Sequence, residues 1–442
     1  MTYREALARL YALEHSGIKL GLERIVGALK DLGHPEDGFA SLHVAGTNGK
    51  GSTSAFLSGI LQSCGVPVGL FTSPHITDFR ERFRVDGRMV SEERILEGLD
   101  AVWPAVEAND LSFFEASTVL GFWIFVREGV RAAVLEVGLG GRLDATNVVS
   151  PDLTVITSLS LDHQKTLGST LSRIAGEKAG IIKPGVPLIL ANGPYEARRV
   201  VLSTALEKGA PVLLDREALR VRVVRFDLTG TRWEASRRLP HLPYWLDGRW
   251  EISLVGAHQV ENARLALLGA AALAERGWPL HPEGIAEGLR TTHWPGRMQW
   301  LGPDPPVLLD VAHNAEGALR LVAALRMLNV RPSVRWVVGM VQGKDHEAFL
   351  RTLVRAGRNV HLASPRNERS VSTRVLERAA DAAGARRAVH GSVADAVTSA
   401  LASLAPDEIL VVTGSFFTME EACEVLGVEP RRSLYDAMEA VP

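Results

Sequence analysis

The sequence is expected to fold as an α/β protein. It should have a P-loop domain with a mainly parallel sheet, followed by a smaller C-terminal α/β domain. Three observations lead there. Short β-branched runs alternate with amphipathic segments, the pattern of a parallel sheet with crossover helices. A glycine-rich turn, "HVAGTNGKGSTS" (residues 43–54), joins a run that reads as strand to one that reads as helix. The chain has 442 residues, more than one compact core holds, so two domains are expected.

The composition narrows the class. Hydrophobic residues make up 46% and charged residues 23%, as in a soluble globular protein. A net charge of −2 excludes a general nucleic-acid binder, and any anionic substrate must be held by local positive groups. Two cysteines, Cys64 and Cys423, make no disulfide framework and point to a reducing cytoplasm. The N-terminus, "MTYREALARLYALEH", is charged throughout and is not read as a leader. No apolar run approaches the roughly twenty residues of a membrane span. Only eight of the 49 basic residues are lysine. A lysine retained in such a chain is a candidate for chemistry that arginine cannot do.

Taken in order, "FASLHVAG" is expected as a strand running into the glycine loop. "KGSTSAFLSGILQSCG" follows as a helix with Gly65 as its stop. "VPVGLF", "RAAVLEVG", "PDLTVITSL" and "VPLILA" read as further strands, and 92–107, 115–128 and 171–182 as helices. Residues 211–255 change to the periodicity of antiparallel strands, a β-rich excursion from the first domain. "AHQVENARLALLGAAALAERG" reads as a long helix. "HWPGRMQW" (293–300) has Pro and Gly where a hinge needs them, so the domains are expected over 1–293 and 297–442. "PVLLDVA", "SVRWVVGM", "NVHLAS" and "EILVVTGS" are the strands expected in the second domain.

The glycine loop departs from the usual G-x-x-x-x-G-K-[ST] spacing. Val44 stands five residues before Gly49, and Gly51 separates Lys50 from Ser52. It still has the parts of an anion cradle, with N–H groups and a helix N-terminus aimed at phosphate oxygens. Gly46, Gly49 and Gly51 permit close backbone approach, with Thr47 and Asn48 between them. Lys50 can reach terminal phosphates, and Ser52 or Thr53 can address magnesium. In "EVGLGGRLDATN" (136–147), Glu136 closes a strand before a flexible loop, where a carboxylate can serve magnesium. A dinucleotide fingerprint is excluded, because Leu143 stands where its last glycine would be. In "TSLSLDHQKTLGSTLSRIAGEKAGIIK" (157–183), Asp162 and His163 follow a strand and Lys178 lies in a helix. Beside Glu177, Lys178 reads either as half of a solvated surface pair or, if buried, as an amine able to form a carbamate.

The motifs "GTNGKGS", "TSPHI" (72–76), "EVGLGGRLDATN", "LDHQKTLG", "GEKAGI" and "LDVAHN" (309–314) occur in this order over nearly the whole chain. In this the sequence resembles the folylpolyglutamate synthases, whose bacterial members often double as dihydrofolate synthases, within the Mur-ligase superfamily. The resemblance implies ATP-dependent joining of L-glutamate to a folate or dihydropteroate carboxylate through an acyl phosphate. It implies that Gly49, Lys50, Gly51 and Ser52 hold the triphosphate. It further implies one magnesium on Ser73 and Glu136, and a second on His163 with a carbamylated Lys178. Asn262 and Arg297 would contact ATP from the long helix and the hinge. Asp310 and His313 would face nucleotide and glutamate, and Ser415 would help to bind glutamate. Val311 replaces the Gly usual in that motif. For the folate, the resemblance points to "KLGLERI" (19–25), "SPHITDFRERFRVDG" (73–87) with Arg82, and Asp144. A cytoplasmic monomer without nucleic-acid or membrane partners is expected. Two other readings stay open: a murein-precursor amide ligase of the same superfamily, and a non-ligating nucleotide-gated binding protein.

Overall fold

Residues 40–45, Ala-Ser-Leu-His-Val-Ala, are almost wholly buried, His43 included, as befits a strand covered on both faces. This is β1 (Ala40–Ala45), central to the first of three sheets. The computed structural model of the chain describes residues 1–16, 21–328, 333–430 and 434. The other strands of that sheet are β2 (Val68–Phe71), β3 (Phe83–Val85), β4 (Arg88–Met89), β5 (Ala132–Glu136), β6 (Leu153–Ile156), β7 (Leu188–Leu190) and β8 (Val212–Leu214). Their order is β4-β3-β2-β5-β1-β6-β7-β8. From β2 to β8 the pairing is parallel, and β3 and β4 add an antiparallel edge.

Two apolar layers cover this sheet. One includes Phe56, Leu57 and Ile60 of the helix Lys50–Ser63 and Leu265–Leu268 of the helix Ala257–Glu275. The other includes the aromatic side of the helix Phe113–Arg127, with Phe122 and Phe125, and the helix Glu92–Ala108. The first of these aromatic helices begins two residues before its expected start, because Ser112 and Glu115 form a capping box. The helix expected over 171–182 ends at Ala179. There the Glu177 carbonyl is taken by Arg142 N–H at 2.7 Å, and a side chain at Gly180 would collide with Arg142.

The β-rich excursion is a three-stranded antiparallel sheet of β9 (Leu219–Asp227), β10 (Gly230–Arg237) and β11 (Gly248–Ile252). It starts later than 211, because 212–214 completes the parallel sheet as β8. A helix over Pro282–Thr291, not anticipated, packs on Lys50–Ser63.

The third sheet holds β12 (Gln299–Pro303), β13 (Pro306–Leu309), β14 (Ser333–Val338), β15 (Asn359–Leu362), β16 (Arg386–Val389) and β17 (Glu408–Thr413). Its order is β12-β13-β17-β14-β15-β16, parallel from β13 to β16 with β12 antiparallel at the edge. Both outer strands went unanticipated: they are partly exposed and lack the continuous apolar run of the inner four. Among the described residues, no helix is long and apolar enough to cross a membrane.

Candidate active site

The first sheet delivers its chemistry at one edge. The glycine loop follows β1, Ser73 follows β2, Glu136 ends β5, and the run to His163 follows β6. Because β2, β5, β1 and β6 are neighbours, these segments come together at the C-terminal ends of parallel strands, where α/β sheets bind ligands. The third sheet does the same. Asp310 and His313 follow β13, Ser415 follows β17 and Lys344 follows β14, again three neighbours. A cavity of about 1450 Å³ lies between the two edges. It is lined by loop residues 46–52, Ser73, Arg82, Glu136, Asp144, His163, Lys178, Asn262, Arg297, Asp310, His313 and Ser415, so the structure brings these residues to one space; Thr53 is not among its lining.

The glycine loop is shaped for close approach. Gly49 caps the helix Lys50–Ser63 at φ 89°, and no side chain caps that helix, so its first N–H groups remain available. A Cβ on Gly49 would collide with Asn262 Oδ1, which puts the long helix directly over the loop. Gly46, at φ 153°, has room for no side chain against Thr157 Oγ1. Thr47 N–H donates to Ser158 O at 2.7 Å, and Thr157 Oγ1 donates to Asn48 O at 2.9 Å, so the β6 segment braces the loop. Lys50 Nζ has a long contact to Thr47 O at 3.4 Å.

Glu136 is buried, and Ser73 N–H donates to its Oε2 at 3.3 Å. Burial raises its pKa, while Lys50, Arg297 and Arg82 draw it back. The Ser73 main chain thus stands beside the Glu136 carboxylate, and the two residues carry a hydroxyl and a carboxylate, the kind of oxygen donors a hard divalent cation prefers. Among the described residues the one three-membered group of His and carboxylate ligands is His34, Glu36 and Asp37 on the surface, not here. Magnesium at Ser73 and Glu136 would therefore complete its shell with phosphate oxygens and water, as it ordinarily does.

Lys178 is 4% exposed, which removes the solvated-pair reading: its neighbour Glu177 bonds Arg142 instead. Its Nζ donates to Gly46 O at 2.7 Å. Burial, then the charge of Lys50, lowers its pKa to about 7. His163, on the same edge, adopts φ 49°.

Other residues are more engaged than the sequence suggested. Asp144 accepts from Leu139 N–H at 2.8 Å, Thr146 N–H at 3.0 Å and Thr146 Oγ1 at 2.6 Å, so it braces its own loop while lining the cavity. Asp310 accepts from Met298 and Ala312 N–H, each at 2.9 Å, and so ties Met298, just ahead of β12, to the end of β13. Ser415 caps the helix Phe416–Leu426. Arg82 is no solvated charge. It is 6% exposed, its Nε donates to His75 Nδ1 at 2.9 Å, and its guanidinium lies 5.2 Å from the Phe113 ring. Burial lowers its pKa to about 10. Arg297 lies 5.8 Å from the Phe416 ring. His313 Nδ1 faces Val311 O at 2.9 Å, and burial holds its pKa down at about 3.

Sequence reasoning missed two groups. Lys344 Nζ meets Asp162 Oδ1 at 2.5 Å across the domains, both side chains 8% exposed. Asp162 Oδ2 also accepts from Asn314 Nδ2 at 3.2 Å. Burial would raise the Asp162 pKa, but Lys344, His163 and His313 hold it well below the usual carboxylate range. The signal was that Lys344 is one of only eight lysines. The second group is aromatic. Tyr11 stacks on Phe113 with ring centroids 5.4 Å apart, and both line the cavity beside Arg82. No spacing marks such a pair. Of "KLGLERI", Lys19 and Leu20 lie outside the described residues.

Two family models match: the Mur ligase middle domain over residues 44–270 and the Mur ligase glutamate ligase domain over 296–416. A folylpolyglutamate synthase from Lacticaseibacillus casei is 33% identical over 94% of this chain and 97% of its own. A dihydrofolate synthase/folylpolyglutamate synthase from Escherichia coli is 34% identical over 97% and 96%. The structure of E. coli FolC in complex with DHPP and ADP is similar with a TM-score of 0.84 at 31% identity, over 96% of this chain and 97% of that one. The chain belongs to the folylpolyglutamate/dihydrofolate synthase family of Mur ligases.

Proposed function

We propose that this chain is an ATP-dependent ligase that joins L-glutamate to the carboxylate of a folate or of dihydropteroate, giving folylpolyglutamate, dihydrofolate or both. The observation that carries the reading is the one cavity in which an uncapped helix N-terminus, the buried carboxylate of Glu136 and the buried amine of Lys178 face Lys344 and His313 of the other domain. The names of the relatives and the DHPP and ADP complex support the substrates.

In this reading the substrate carboxylate attacks the γ-phosphorus of ATP and ADP leaves. The amine of glutamate then attacks the acyl carbon, phosphate leaves, and the amine gives up a proton. Two anions must first meet. Residues 46–52 hold the triphosphate through backbone N–H groups, with Lys50 at its end and Asn262 and Arg297 on its flanks. Two magnesium ions, one with Ser73 and Glu136 and one with His163 and a carbamate on Lys178, would screen that repulsion when bound. An amine with a pKa near 7 is largely neutral at slightly alkaline pH and can add carbon dioxide with loss of a proton. Arg82, Tyr11, Phe113 and Asp144 form the folate end. Lys344, His313 and Ser415 form the glutamate end, where Lys344 can exchange Asp162 for a substrate carboxylate. The domains divide at the hinge, 1–293 and 297–442, and closure there excludes water from the acyl phosphate. The working unit is a cytoplasmic monomer.

The test is to incubate the protein with ATP, magnesium and glutamate, supply dihydropteroate or tetrahydrofolate separately, and read product masses. ADP release that depends on neither compound would overturn the reading.

A further inference from the structure

His43 opens the glycine-loop motif, yet it points away from nucleotide chemistry. It sits in β1 with no exposed surface, and its Nε2 lies 2.8 Å from Thr146 Oγ1. We propose that His43 is a positioning residue for the folate-facing wall of the cavity, acting through Thr146 on Asp144; this rests on the ligase reading above.

The direction of the chain follows from the donors. The Asp144 carboxylate accepts from Leu139 N–H, Thr146 N–H and Thr146 O–H. Burial pushes the Asp144 pKa up, and the donors around it pull it back toward the ionised form; as a carboxylate it only accepts, so the single hydroxyl proton of Thr146 is spent on Asp144. The hydroxyl oxygen can then only accept from His43. This fixes His43 as the Nε2–H tautomer. Its Nδ1 is buried without a partner, so protonating it would create an unpaired imidazolium. Lys183, whose Nζ donates to Asn147 O at 3.0 Å, adds a second charge against that. The ring is thus locked as a one-way donor. It holds the Thr146 hydroxyl on Asp144, and Asp144 in turn holds the loop at Leu139 N–H. The strand that carries the phosphate loop thereby also sets the loop lined by Leu139, Gly140 and Asp144.

The experiment uses the full chain. In His43→Leu the donor is gone, and KM for the folate substrate should rise about tenfold while KM for ATP stays within about twofold. His43→Gln keeps an N–H donor and should recover most of the loss. Thr146→Val should match His43→Leu, and the double variant should add little, because both break one chain. A second readout is independent of turnover. The ¹⁵N shifts of His43, assigned by difference from His43→Gln, should report the Nε2–H tautomer in the wild type. A protonated Nδ1, or equal changes in both KM values, would overturn the proposal. If the wild type makes no product with either pteroate compound, the ligase reading falls and the substrate role of His43 with it. The tautomer measurement still decides the hydrogen-bonded chain.

Discussion

Replacing Lys344 by Met should open the protein rather than unfold it. The ammonium meets Asp162 at 2.5 Å, and both side chains are 8% exposed, so the substitution leaves a carboxylate in a site built for a pair. One-sided loss of a buried ion pair costs about 3–5 kcal/mol. Asp162 keeps Asn314 Nδ2 at 3.2 Å and its own turn through His163 N–H at 2.8 Å, which puts the loss at the lower end. About 3 kcal/mol is roughly a hundredfold in an equilibrium constant. The pair spans the two domains, so that factor falls on the ratio of closed to open forms. The assay is a pair of fluorescent labels, one on each domain, read with steady-state kinetics. Lys344→Met should lengthen the mean distance and raise KM for glutamate strongly, with little change in ATP binding. Asp162→Asn/Lys344→Met leaves no unpaired charge and should close again without recovering glutamate affinity. An unchanged inter-label distance in Lys344→Met would refute the reasoning, because the pair would then add nothing to closure.

Lys50→Ala should abolish ligation with the melting temperature nearly unchanged, since its Nζ makes only a long contact, to Thr47 O at 3.4 Å; near-normal product formation would sink the loop assignment. Lys178→Ala should lose activity and regain part of it with added short carboxylates, and unaltered turnover would rule out the carbamate. His43 is held neutral by burial, with a pKa of about 3 against an ordinary 6.5. Its contribution to stability is therefore complete above 6.5 and is lost as pH falls from 6.5 toward 3, where the unfolded chain binds the extra proton. His43→Phe should reduce the pH slope of unfolding in that window by up to about 1.4 kcal/mol per pH unit, seen in denaturant titrations at several pH values.

The legible parts of this protein are those in which one local stretch holds both the structure and the chemistry. A buried strand, a glycine turn and an uncapped helix occupy consecutive residues, so the loop at 46–52 could be read directly. Side-by-side strands then collect the other motifs, and neighbouring strands in a parallel sheet must present their C-terminal ends together. Partners across the fold were not legible. Lys344 and Asp162 are 182 positions apart, and nothing local marks either as half of a pair. Arg82 stands in a run of charges that resembles a solvated face, but its environment is set by His75 and Phe113. Asp144 and Ser415 were readable as polar groups at loop ends. Asp144 is already engaged by Leu139 N–H and by the N–H and hydroxyl of Thr146, and Ser415 by Thr418 N–H, bonds set by local turns that the sequence does not spell out.

The glycine loop itself gains a second duty from Asn48. Its Nδ2 donates to Glu316 at 2.7 Å, and its Oδ1 accepts from Asn314 at 3.0 Å, both in the other domain. Its main-chain oxygen is meanwhile held by Thr157 and Ser158 of the β6 segment. One residue of the glycine loop is therefore fixed to the first domain by its backbone and to the second by its side chain. A loop that merely bound nucleotide would need the first attachment alone. An acyl phosphate must be shielded from water for as long as it exists. In the proposed ligation, the loop's hold on a transferred phosphate and the exclusion of water by the second domain would then depend on the same three side chains, Asn48, Asn314 and Glu316.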